Sequence, residues 1–134
     1  MRIVLDTNCL IQSISPRSAS HDVWKSILDG RNTLCVSTEI LDEYAEILQR
    51  LADSYTTELV LNTILNSKNV IRLNPYFHFN LISADPDDNK FVDCAIQANA
   101  RFIVTNDHHY DVLRQIEFPR VDIITLKDFI LQNS

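Results

Sequence analysis

The stretch ISADPDDNKFVDCAI, residues 82–96, concentrates four carboxylates, Asp85, Asp87, Asp88 and Asp93, within nine residues against a single lysine, in a chain that is 46% hydrophobic. Two further acids stand where strand-like runs end: Asp6 directly after RIVL, and Asp107 two residues beyond FIVT. Glu43 lies within the amphipathic run TEILDEYAEILQRLAD. Carboxylates brought into one pocket repel and push one another's pKa values up unless a cation neutralises them. Oxygen ligation suits Mg²⁺ or Mn²⁺, and no cysteine or histidine stands at a spacing that would compete. A divalent ion held in this way can activate water for the hydrolysis of a phosphodiester.

Each acid also has an ordinary explanation. Asp6 can be a turn acid or the N-cap before NCLIQ, and a glutamate such as Glu43 can sit at the edge of a core with its carboxylate in water. On a helical wheel of about 100° per residue, with Tyr44 at the centre of the apolar stripe, Ile47 lies about 60° to one side and Glu43 about 40° beyond it. Glu39 and Glu46 fall on the solvated face, so Glu43 alone leans towards the core boundary. Asp88 stands three and four residues before Phe91 and Val92 and shares their inward face, whereas Asp93 points to the opposite side and Asp85 is the N-cap. Complementing a helix dipole explains an acid in a first turn, but not one that faces inward. Asp6, Glu43, Asp88 and Asp107, from four separate elements, therefore converge on one end of a sheet.

The elements that must position them alternate regularly. RIVL and LCVS are short β-branched runs, and TEILDEYAEILQRLAD follows the second with Ser37 or Thr38 as N-cap. HDVWKSILDG is amphipathic and closes on Gly30 in the place expected of a helix C-cap. A helix from about Thr56 to Asn66 leads into the strand NVIRL. Asp85 and Pro86 are a cap and first helical residue, opening a helix that runs to about Ala98. FIVT is a fourth strand, HYDVLRQI a short helix, DIITL a fifth strand and KDFILQN a closing helix. This alternation predicts a three-layer α/β/α sandwich around a mostly parallel five-stranded sheet, with ligands at the carboxyl ends of the strands.

Length and composition narrow the function further. At 134 residues the chain reads as one domain, 1–134, and it contains no apolar run of the roughly 20 residues that span a bilayer. Cys9, Cys35 and Cys94 are an odd number in apolar contexts, which predicts reduced core thiols and a cytoplasmic protein. A net charge of −6 argues against a protein that coats nucleic acid, though not against an enzyme that meets phosphate through a metal ion. With Gly30 the only glycine, glycine-rich phosphate loops and dinucleotide fingerprints are excluded. His108 and His109 diverge if their segment is helical, and read first as surface residues. Arg17, Lys25 and Lys90 are the basic side chains available to position a polyanion.

LDTN at 5–8, VSTEILDEY at 36–44, DPDDNKFVDCAI at 85–96 and IVTND at 103–107 together resemble the PIN-domain ribonucleases, in particular the branch of toxins from toxin–antitoxin pairs. The resemblance covers essentially the whole chain in four ordered blocks. It implies a Mg²⁺- or Mn²⁺-dependent endoribonuclease that leaves a 5′-phosphate and a 3′-hydroxyl, with a cognate antitoxin and a homodimeric state. Asp6 then matches the first-strand acid, Glu43 the helix acid, Asp88 the third acid and Asp107 the fourth. Asp85, Asp87 and Asp93 are alternates for the third. Asn8 and Thr105 match the flanking polar residues that hold acids and water. Two other classes compete. A receiver-type phosphoacceptor would want an acidic pair after the first strand and an aspartate ending a middle strand, where this chain has Ser37. A PIN-like module that binds RNA or protein without cutting would differ by lacking metal-dependent turnover.

Overall fold

The structure is a computed structural model that describes residues 1–133. Five strands, β1 (Arg2–Leu5), β2 (Thr33–Val36), β3 (Val70–Arg72), β4 (Phe102–Val104) and β5 (Ile123–Ile124), form one parallel sheet in the order β3-β2-β1-β4-β5. Ile3, Val4 and Leu5 of β1 are all fully buried, as are Leu34, Cys35 and Val36 of β2. Successive strand residues point to opposite faces, so full burial of consecutive residues means that both faces are covered. This is the expected three-layer arrangement.

Six α-helices do the covering: α1 (Thr7–Ile14), α2 (His21–Leu28), α3 (Thr38–Leu51), α4 (Ser54–Asn66), α5 (Asn89–Ala98) and α6 (Leu126–Asn133). Helix α1 packs on α2 and α3, α3 packs on α4, and α5 lies across β1, β2 and β4. Their termini follow local chemistry. The Ser37 hydroxyl accepts from the Ile40 N–H at 3.3 Å and starts α3, and Asp53 accepts from the Thr56 N–H at 2.6 Å and starts α4. Gly30 follows α2 at φ +85°, a conformation that L side chains rarely adopt.

Two predicted helices differ in form. The segment opening at Asp85 begins as a 3₁₀ turn, Pro86–Asp88, and becomes α-helical only at Asn89. The Asn89 side chain explains the break. It accepts from the Ile82 N–H and donates to the Ile82 carbonyl, both at 2.9 Å, which ties the helix start to the preceding loop. HYDVLRQI, 109–116, coincides with a 3₁₀ helix over His108–Gln115 that the Asp107 carboxylate caps and Ile116 ends. Cys9, Cys35 and Cys94 are free thiols with no exposed surface, and burial pushes their pKa values up to about 12, 11 and 12. No helix among the described residues is long and apolar enough to cross a membrane.

Candidate active site

Reading the sheet outward from β1, the chain runs one way through β2 and β3 and the other way through β4 and β5. The crevice between the carboxyl ends of β1 and β4 is therefore the switch point at which open α/β sheets place their ligands. Asp6 leaves β1 at this point, and Thr105 and Asp107 leave β4 beside it, with Ile3, Val4 and Leu5 in register with Phe102, Ile103 and Val104.

Asp6 is 8% exposed and held at both oxygens: Oδ1 accepts from the Thr7 N–H at 2.8 Å and Oδ2 from the Thr105 hydroxyl at 2.8 Å. The first of these bonds is the N-cap of α1, so the ordinary role of Asp6 and a site role coincide. Burial raises its pKa, and the charges of Glu43 and Asp107 push the same way against the two hydrogen bonds. The Thr105 hydroxyl also accepts from the Asp107 N–H at 3.1 Å, so one side chain fixes acids from two strands. Asp107 in turn accepts from the His109 N–H at 2.9 Å. Asn8 is exposed and lines, with Asp6, Gln12, Asn106 and Asp107, a hollow of about 400 Å³.

Asp88 ends the 3₁₀ turn and is also 8% exposed. Burial, then the charges of Asp85, Asp107 and Asp6, push its pKa up to about 7, against the nearby Tyr110 hydroxyl. Its Oδ2 is buried and accepts no hydrogen bond of normal geometry, although the Tyr110 hydroxyl, itself unbonded, is close enough to act on the carboxylate and His109 Nδ1 lies 3.9 Å away. An unmet carboxylate oxygen in a buried setting is costly unless something charged or polar reaches it.

Glu43 presents the opposite picture. Its Oε1 lies 2.7 Å from Lys90 Nζ, and its Oε2 accepts from the Thr7 hydroxyl. Burial pulls the Lys90 pKa down, but the hydrogen bond and charge of Glu43 outweigh it and leave the ammonium above its ordinary value. Lys90, expected as a rim cation for a polyanion, is turned inward onto an acid. Arg17 and Lys25 are exposed on the surface.

The alternates for the third acid separate clearly. Asp93 is 3% exposed and accepts from the Phe79 N–H at 3.1 Å, with His78 Nδ1 at 3.4 Å. It anchors the loop before α5, its hydrogen bonds going to that loop and not to Asp6 or Asp107. Asp85 caps the 3₁₀ turn by accepting from the Asp87 N–H at 3.2 Å, and Asp87 is exposed. Asp85 nevertheless stays close: one ligand atom each of Asp85, Asp88 and His109 lie within 4.8 Å of one another. His109 corrects the expectation that no histidine competes. Its Nδ1 lies 3.4 Å from Asp107 Oδ1 and 3.9 Å from Asp88 Oδ2. The signal missed in the sequence is that Asp107 caps the following 3₁₀ helix, which folds residue 109 back over the acids.

The residues fit a hard divalent cation. Two carboxylates, Asp85 and Asp88, and the His109 imidazole stand within reach of one ion, Asp88 carries a buried oxygen without a hydrogen bond, and Asp6 and Asp107 lie outside that group but close enough for their charges to act on Asp88; the imidazole nitrogen widens the choice towards Mn²⁺. Trp24 is 8% exposed and Tyr44 fully buried, the latter donating to the Leu5 carbonyl at 2.7 Å, so both belong to the core.

Residues 2–109 match a family model described as PIN domain. Among solved structures, VapBC2 from Rickettsia felis, bound to a promoter DNA fragment, superposes with a TM-score of 0.64 at 19% identity, covering 93% of this chain and 98% of that one. VapBC-1 from nontypeable Haemophilus influenzae gives 0.62 at 16% identity, covering 95% and 99%. The PIN domain endonuclease Utp24 gives 0.54 at 17% identity, covering 92% and 84%. No curated protein sequence matches the chain closely enough to count as a relative.

Proposed function

Because the chain belongs to the PIN-domain family, we propose that it is a Mg²⁺- or Mn²⁺-dependent endoribonuclease, working as one unit and serving as the toxin of a toxin–antitoxin pair. The observation that carries the reading is the buried, unpartnered Asp88 oxygen at the switch point, beside Asp6 and Asp107. Asp6, Asp88 and Asp107 are the residues that would hold the cation. When bound there, such an ion lowers the pKa of water and stabilises charge on phosphate oxygens.

The chain's own groups do the positioning. Thr105 fixes Asp6 and Asp107 together, and the Thr7 N–H fixes the other oxygen of Asp6, so both acids are oriented before any ligand arrives. Glu43 can serve either as a ligand or as the group that orients attacking water. Both its oxygens are already engaged, which favours the second role. Asn8, exposed beside Asp6, can contact the phosphate or a water next to it. Asp88 would give up its proton to hold a cation, since burial first, and then the charges of Asp85, Asp107 and Asp6, keep its pKa at about 7.

An antitoxin partner has a seat away from this cleft. A groove of about 500 Å³ between α1, α2, α3 and α4 is lined by Ile11, Ile14, Trp24, Leu28, Leu48 and Leu51. Leu51 is 64% exposed there, an area that an apolar helix would cover while a basic segment reached the acids. The same reading carries a cytoplasmic location and a homodimer.

The test is cleavage of a mixed labelled RNA pool by purified protein with Mn²⁺ or Mg²⁺, beside EDTA and Asp6→Asn. Cutting that needs both the metal and Asp6 is the expected result. A folded, metal-loaded protein that leaves every RNA intact would favour a PIN-like binding module without turnover.

A further inference from the structure

We propose that Lys90 is a fixed cation built into the acidic cleft, taking the place of a second metal ion at Glu43, so that the site loads one divalent ion, on the Asp88 side. The proposal rests on the metal-dependent reading above. Its evidence is the unequal way in which the acids are met. The Lys90 ammonium lies 2.7 Å from Glu43 Oε1 and the Thr7 hydroxyl occupies Oε2, whereas Asp88 Oδ2 is buried with no partner. A second ion at Glu43 would have to displace both an ammonium and a hydroxyl. An ion at Asp88 displaces no hydrogen bond, only the looser approach of His109 Nδ1 at 3.9 Å.

The position of Lys90 is itself unfavourable without such a role. It is the second residue of α5, where the helix dipole presents its positive end and a cation is disfavoured. Its side chain is only 16% exposed, so the charge has also lost much of its water. Both costs are offset by Glu43, on a different helix, which leaves the ammonium held between α3 and α5 instead of free at the rim. Paired catalytic ions share carboxylates at a separation of about 3.5–4 Å, and a tethered ammonium beside one of those carboxylates supplies part of that charge without being able to dissociate. Lys90 is a positioning residue under this proposal: it acts through Glu43 and through the number of ions admitted.

Mn²⁺ binding to the purified wild type, Lys90→Met and Lys90→Arg, each checked for folding by circular dichroism, tests this directly. Calorimetry should give one equivalent for wild type and for Lys90→Arg, and two for Lys90→Met. Electron paramagnetic resonance should show isolated Mn²⁺ in the first two and a spin-coupled pair in the third, a signature that a merely structural lysine would not move. Two coupled ions in wild type would overturn the proposal, and so would a single ion in folded Lys90→Met. Wild type that binds no Mn²⁺ would overturn the metal-dependent reading as well, which separates that failure from this one.

Discussion

Glu43 on α3 and Asp88 in the 3₁₀ turn before α5 both stand close enough to Asp6 to couple with its charge, yet one is fully answered and the other is not. Lys90 and Thr7 take both oxygens of Glu43, while Asp88 keeps a buried oxygen that accepts no hydrogen bond, with His109 Nδ1 no nearer than 3.9 Å. The difference teaches where the cleft is finished by the fold and where it waits for a ligand. The fold already holds Glu43 in place, and on the proposed reading Asp88 stays destabilising until a cation arrives. Active sites store uncompensated charge in this way because the same charge later binds the ligand.

The comparison breaks most visibly at Asp88. Asp88→Asn should lower RNA cleavage by about 10³-fold, because one carboxylate ligand of the ion is lost. The metal-free variant should at the same time melt above wild type at pH 8. Loss of activity together with loss of stability would place Asp88 in the scaffold instead.

Next in size is the pH dependence of the metal-free wild type. The folded pKa of Asp88, about 7, exceeds the ordinary 3.8, so between these values the folded state keeps a proton that the unfolded state has released. Stability therefore falls as pH rises from 4 to 7 and then levels off, by up to about 4 kcal/mol for such a shift. Asp6, also raised, adds in the same direction. Urea titrations across this range should show the decline, and Mn²⁺ should reverse it; a flat profile without metal would mean that Asp88 is compensated after all.

Thr105→Val keeps the shape and removes the hydroxyl that binds Asp6 and the Asp107 N–H. Its expected cost is about 10–100-fold in metal affinity, the usual effect of losing a group that orients ligands. An unchanged calorimetric affinity would show that the two acids do not need this bridge.

The smallest effect belongs to Asp93→Asn. Asp93 holds the Phe79 N–H outside the cleft, so the variant should lose about 1 kcal/mol of stability. Its Mn²⁺ affinity should stay within about twofold, and a larger drop would restore Asp93 as an alternate for the third ligand.

Much of this was legible in the sequence because it depends on short-range pattern. Consecutive apolar residues in RIVL and LCVS announce strands covered on both faces, and the wheel positions of Glu43 and Asp88 correctly separate acids at the core boundary from Glu39 and Glu46 in solvent. Asp88 turned inward even though the helix assumed for it begins one residue later, because a 3₁₀ turn still sets residues three apart on one side. The pairing of Lys90 with Glu43 was not legible. It exists only because α3 packs on α5, and residues 47 positions apart carry no mutual signal in a single sequence. His109 and Asp93 escaped for related reasons, the first because the turn after β4 brings it back over the acids, the second because its partner is a backbone N–H in an irregular loop.

The hydrogen bond between Thr105 and Asp6 spans 99 residues of chain. On a ribosome the two ends of that bond are made far apart in time. The first strand and its acid emerge early, but the hydroxyl that orients it, and the Asp107 carboxylate beside it, appear only when about four-fifths of the chain has been synthesised. Non-local parallel pairing of this kind is also slow to form. A nascent chain thus carries Asp6 without an assembled centre until Thr105 and Asp107 have been added behind it.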